Sequence, residues 1–291
     1  MIPDIPQLPM NPTLEGQAEL IEHIVYSENG QDLSLLLPWA PLDNRLGQQP
    51  HPLILFVQGS AWTTPNLGYE IPMLSRYAEE GYAVATIRHR SAMDGYPFPA
   101  FLVDTKCAIR FLRANAGKYA LDADRIVAFG TSSGGNAVCL LGLTGDDPEF
   151  RTPEYDAYSD AVQSVISCFA PTDLPALFDS FADSPDRNAT LSAYFGPDPD
   201  RWREHMVRYS PLYRVEDGKP VPPFLLLHGT ADSLVSCSQM DRFYTRLREA
   251  GAEVRAFHVT GAEHEGNFWS PQVRALIHEE IVTRLGKSPT H

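Results

Sequence analysis

RIVAFGTSSGGNAV, residues 125–138, is the stretch whose reading decides the fold. Ile126 to Phe129 form a short apolar run of the kind found in strands buried on both faces. The run passes without a linker into Gly130-Thr131-Ser132-Ser133-Gly134 and then into small residues that can open a helix. A serine at such a strand-to-helix junction is held in a strained conformation with its hydroxyl presented outward. The residues two before and two after it must be tiny, so that strand and helix can cross closely. Gly130 and Gly134 meet that demand around Ser132, the candidate nucleophile. Ser133 is the rival, but its neighbours at the same offsets are Thr131 and Gly135, and a threonine would crowd the crossing. A phosphate-cradling glycine loop at a helix start is the other reading. It lacks the lysine of a P-loop and the spacing of a dinucleotide fingerprint.

Outward from this junction, short β-rich runs alternate with helical stretches. LILFV (53–57), AVATI (83–87), VQSVISCF (162–169), FLLLH (224–228) and VRAFHV (254–259) read as further buried strands. AELIEHIVYS and QDLSLLLPW, on either side of ENG (28–30), read as an antiparallel hairpin entering the sheet. In DTKCAIRFLRANAGKYA the apolar stripe of a helix falls on Cys107, Ala108, Phe111 and Leu112, with basic residues on the other side and Gly117 near the stop. SQMDRFYTRLREAG has the same period and ends at Gly251. The expected class is α/β: a mostly parallel central sheet with helices on both faces, in one domain over 1–291 that includes an N-terminal extension, 1–18. The segment 171–222, rich in Pro, Asp, Tyr and Phe, breaks the rhythm and reads as a small cap inserted after a strand. There it would cover the crevice beyond the strands' carboxyl ends.

A serine nucleophile needs a base, and in chain order Ser, acid, His the partners should follow later strands. Asp232 comes four residues after FLLLH, and His264 shortly after VRAFHV. Both are therefore expected at the same sheet edge as Ser132. Asp173 competes for the acid role, its alternative being a helix N-cap. His228 and His258 lie in strands and read as structural or surface residues. Phe178, Phe181, Tyr194, Phe268 and Trp269 are candidates for a pocket lining. Backbone donors for a developing oxyanion are expected from Ser133 and from the loop Gln58-Gly59-Ser60-Ala61-Trp62, with Ser60 and Ala61 as the choices.

A net charge of -14 repels phosphate backbones and anionic lipid, which excludes nucleic acid as an expected partner. No run of about 18 apolar residues and no signal-like start occurs, so no membrane association and a cytoplasmic location are expected. Cys107, Cys139, Cys168 and Cys237 are far apart without a CxxC pair and read as buried thiols. No metal or organic cofactor is expected.

QGSAW, GTSSGG, HGTAD and GAEH together resemble the signatures of α/β-hydrolase esterases of the hormone-sensitive-lipase and feruloyl/acetyl-xylan esterase (BD-FAE-like) type, over about residues 50 to 285. Gln58, Ser60 and Ala61 depart from the usual histidine and glycines. The resemblance implies hydrolysis of a small-molecule carboxylic ester, short-chain acyl or phenolic, through an acyl-enzyme on Ser132, with His264 as base and Asp232 orienting it. The same residues could serve an arylformamidase or amidase, or persist in a non-catalytic receptor of this fold. A homodimer is compatible with the sequence.

Overall fold

The computed structural model describes residues 5–12, 14–40 and 49–286. Residues 1–4 and 13 of the expected N-terminal extension therefore lie outside the described residues. The strands are β1 (Ala18–Val25), β2 (Asp32–Pro38), β3 (His51–Val57), β4 (Ala83–Ile87), β5 (Leu121–Thr131), β6 (Ser164–Cys168), β7 (Phe224–Gly229) and β8 (Val254–Val259). The helices are α1 (Ile71–Glu79), α2 (Ala100–Ala114), α3 (Ala116–Tyr119), α4 (Ser132–Leu143), α5 (Leu174–Ser180), α6 (Arg187–Phe195), α7 (Trp202–Arg208), α8 (Pro211–Arg214), α9 (Ser238–Glu249) and α10 (Pro271–Leu285).

Among the described residues the strands form one sheet in the order β1-β2-β4-β3-β5-β6-β7-β8. The hairpin β1–β2 is antiparallel, as its turn sequence requires, and β2 pairs antiparallel with β4. The rest of the sheet is parallel. From β3 the chain moves outward to β4, whereas from β5 it moves the other way to β6. The direction of winding therefore reverses between β3 and β5, and a crevice opens beyond the carboxyl ends of strands at such a switch point. The loops after these two strands must meet there.

The central parallel strands β3 and β4 and the second half of β5 are largely apolar because both faces are covered. By contrast β8, expected as a buried strand, lies at the sheet edge and is mostly half-buried, with Arg255 and the exposed His258. Leu53, Leu55 and Val57 of β3 belong to a buried apolar cluster that includes residues of α2, α4 and α9 on one side of the sheet. Ile54 and Phe56 belong to the cluster on the other side, with Leu74 of α1 and Ile277 and Ile281 of α10. Part of the basic side of α2 is buried. Lys106 and Arg110 are fully buried and share Asp160, at 2.6 and 2.9 Å. Periodicity detects a polar side but not a buried counter-charge, and leaving such a charge without its partner costs about 3–5 kcal/mol. Gly117 falls inside α3, after α2 has ended at Ala114. Cys107, Cys139 and Cys168 are buried as expected, while Cys237 is half-buried. Among the described residues no helix is long and apolar enough to cross a membrane.

Candidate active site

The turn from β5 into α4 is as tight as the glycines suggest. A Cβ on Gly130 would lie 2.3 Å from the Gly134 carbonyl oxygen, and one on Gly134 would lie 2.0 Å from that of Val57, so neither position admits a side chain. Ser132 sits at φ 50°, a left-handed backbone disfavoured for a residue with a Cβ. Ala61 (φ 49°), Trp62 (φ 55°), Phe169 (φ 40°) and Glu265 (φ 71°) share that region, each on a loop leaving β3, β6 or β8 at this end of the sheet. Such residues cost about 1–3 kcal/mol apiece, and their clustering marks a site held in shape by its surroundings.

Ser132, His264 and Asp232 meet in one hydrogen-bonded chain. Ser132 Oγ lies 2.9 Å from His264 Nε2, and His264 Nδ1 lies 2.8 Å from Asp232 Oδ2. The arrangement has the serine hydroxyl donating to Nε2 and the Nδ1–H donating to the carboxylate. Phe169 packs edge-on against the imidazole, its centroid 4.7 Å away. The side chain of Asp232 is fully buried, and burial alone would raise its pKa. Hydrogen bonds from His228 and His264 and from the Val235 N–H outweigh that penalty and hold the carboxyl well below the usual range. Its Oδ1 also accepts the Leu234 N–H at 2.9 Å.

His228 was read from sequence as a structural or surface residue. It is fully buried, and its Nε2–H faces both Asp232 Oδ2 (3.1 Å) and the Val235 carbonyl (2.8 Å). It therefore fixes the acid and the loop that carries it. Its position four residues before Asp232 in HGTAD was visible, but the fold of the turn that joins them was not. Asp173 takes the alternative reading. Its side chain caps α5 through the Ala176 N–H at 3.0 Å and pairs with Arg242 at 2.6 Å.

The three expected backbone donors do not stand alike. The Ser60 N–H already donates to Ser133 Oγ at 2.9 Å, which corrects its assignment as a free donor. The physical reason is the hydroxyl of Ser133, which reaches across the switch point and occupies that amide. The Ser133 N–H lies in the first turn of α4, where a helix amide has no partner four residues back. None of the hydrogen bonds among the described residues uses the N–H of Ala61. Gln58, at the position of the usual histidine, accepts the Asn66 N–H at 2.6 Å and so closes the loop onto itself. The Gly59 N–H is held by Thr131 Oγ1 at 2.9 Å.

A cavity of about 270 Å³ contains Ser132 and Ser133 and is walled by Ala61, Trp62, Leu177, Phe178, Phe181 and Tyr194. The 171–222 segment thus supplies much of its apolar wall. Phe268, by contrast, is fully buried in the core, and Trp269 lines a different hollow of about 780 Å³ between α1 and α10 that does not contain Ser132. Tyr69, Glu70, Arg76, Glu265 and Arg274 also face that groove. Glu70 is 7% exposed, its Oε2 has no hydrogen-bond partner among the described residues, and burial together with the charge of Glu265 pushes its carboxyl up to about 7.

The BD-FAE family model matches residues 43–247. The chain belongs to the BD-FAE family. The BD-FAE match contains Ser132 and Asp232, whereas His264 lies beyond it. The chain is 30% identical to Esterase LipC of Mycobacterium tuberculosis over 81% of its own length and 58% of that protein's. It spans 46 to 60% of the length of the three Mycobacterium tuberculosis relatives it matches. Among solved structures it resembles a truncated carbohydrate esterase from gut microbiota (TM-score 0.77, 25% identity, 95% of this chain and 99% of that one). It also resembles a bifunctional GH43-CE protein of Bacteroides eggerthii (TM-score 0.80, 27% identity, 92% and 35%). The fold of this BD-FAE member is that of the α/β-hydrolases.

Proposed function

We propose that the protein is a serine carboxylic ester hydrolase acting through an acyl-enzyme. The observation that carries this reading is the continuous chain from Ser132 Oγ through His264 to Asp232. Its relatives named as esterases support it. His264 takes the proton of Ser132 as its oxygen attacks the ester carbonyl, and Asp232 stabilises the imidazolium that forms. The N–H groups of Ala61 and Ser133 receive the oxyanion, while Ser60, spending its N–H on Ser133, positions the loop instead. His264 then protonates the leaving alcohol, and water reverses the roles to release the acid.

The acyl group is assigned to the cavity under the 171–222 segment, which we read as a cap. Its size suits a short acyl chain or a single aromatic ring. The test is the initial rate on p-nitrophenyl esters from acetate to octanoate, for the wild type beside Ser132→Ala, both confirmed folded. Turnover that disappears in the variant is the expected result. Equal rates in both would remove Ser132 from the mechanism. Turnover of an aryl formamide in preference to the esters would move the reading to the amidase class, and tight ligand binding without turnover to a receptor.

A further inference from the structure

We infer that Tyr194 is a positioning residue for the oxyanion-binding loop, so that the acyl-cavity wall and the loop's donors form one mechanical unit. The inference rests on the ester-hydrolysis reading and adds a residue to it. Ala61 occupies left-handed backbone without being glycine, so its own preference does not produce this shape. Its conformation is the relative orientation of the two peptide planes that meet at its Cα, and each plane is tied separately. The Ser60 carbonyl accepts from both the N–H and the Oγ of Thr63, at 3.0 and 2.6 Å. This aims the Ala61 N–H, on the opposite side of the same plane. The Ala61 carbonyl, in the next plane, accepts the Tyr194 hydroxyl at 2.7 Å. Tyr194 belongs to α6 of the cap, not to the loop it holds.

The phenol is itself fixed in place. It is 6% exposed, its ring stacks on Phe98 at 5.5 Å and meets Trp62 edge-on at 5.7 Å, and its backbone carbonyl accepts the Phe98 N–H at 2.8 Å. Trp62, next to Ala61, is anchored from the other side by Asn136, which accepts its Nε1–H at 3.3 Å. The ring of Tyr194 also lines the cavity that holds Ser132. An acyl chain that reaches the ring therefore presses on the group that shapes the loop. Contact with a non-reacting part of the substrate is expressed in kcat rather than in affinity alone.

Tyr194→Phe keeps the ring and the wall and removes only the tie. On p-nitrophenyl butyrate kcat is expected to fall by about 10- to 100-fold, with KM within about threefold. A trifluoromethyl ketone, which forms a tetrahedral oxyanion on the serine, should weaken by a similar factor. Tyr213→Phe removes another cap hydroxyl, one bonded to Asp173, and should leave both constants unchanged. An unchanged kcat, or a loss confined to KM, overturns the proposal while leaving Ser132-dependent hydrolysis intact. Absence of Ser132-dependent hydrolysis in the wild type would instead remove the reading beneath it. If Tyr194→Phe does not fold, the wild-type series decides: kcat should rise from acetate to butyrate as the chain reaches the ring, and a dependence seen only in KM overturns the proposal.

Discussion

The two hollows near His264 are built in opposite ways. The one containing Ser132 is largely apolar and roofed by aromatic rings, and several of the polar groups at its edge are held by partners. The Trp62 indole binds Asn136, the Tyr194 hydroxyl binds Ala61, and the Ser133 hydroxyl binds Ser60. The larger one begins one residue beyond His264, runs between α1 and α10, and carries charges of both signs with the buried Glu70 Oε2 unpaired. The first has the fixed, largely apolar wall that positions a reacting group. The second holds a carboxyl whose desolvation the fold does not offset. Pre-organisation is therefore concentrated on the side where bond-making is proposed.

The sharpest way to break this contrast is at Ser132 itself. Ser132→Ala should lower kcat/KM on p-nitrophenyl butyrate by about 10⁴- to 10⁶-fold, and retention of more than a few per cent of activity would move the chemistry out of the small cavity. Asp232→Asn comes next. It keeps the shape of the site but lets the imidazole adopt the wrong tautomer, and a loss of about 10³- to 10⁴-fold in kcat is expected from steady-state rates.

Phe178→Leu sharpens the comparison by widening the apolar wall. The ratio of kcat/KM for octanoate over acetate should rise by about tenfold, the size of effect that methylene-scale changes in a pocket produce. Arg274→Ala, in the charged groove, should leave that ratio where it was. If both variants move it, the two hollows share the acyl chain and the division fails.

The smallest effect belongs to Glu70. Its carboxyl is raised from 4.5 to about 7, so between those values the folded chain keeps a proton that the unfolded chain has released. Stability from this group is fully present below about pH 4.5, declines as pH rises, and reaches its lowest level above pH 7. Glu70→Gln should therefore stabilise the protein by about 1–2 kcal/mol at pH 8, solvent screening included, and leave it unchanged at pH 4. Urea unfolding at the two pH values reads this directly, and equal midpoint shifts at both would dissociate Glu70 from the effect.

Much of the sheet was legible because strands covered on both faces must be apolar throughout. AVATI coincides with the buried β4 and the hairpin followed from its turn, while VRAFHV marks the bounds of β8 although that strand lies at the edge and is not fully buried. The Ser132, Asp232 and His264 positions were legible because each follows a strand at one edge and the elbow requires glycine on both sides. Side-chain partners across the chain were not. The pairing of Lys106 and Arg110 with Asp160, 50 or more residues away, left no mark in the helical pattern, and Ser60 read as a donor because nothing local predicts that Ser133 takes its amide.

The sequence by itself determined the α/β class, the strand-to-helix elbow and the order of the candidate residues, since these depend on periodicity, on glycine at two offsets and on chain order, all local properties. Only the tertiary structure decided which amides remain unbonded, that His228 braces Asp232, that Tyr194 reaches the Ala61 carbonyl across 133 positions, and that the Glu70 Oε2 is buried without a partner among the described residues. Each of these turns on hydrogen-bond geometry between segments distant in the chain, where a shift of one ångström makes or breaks the interaction and residue order carries no trace of it.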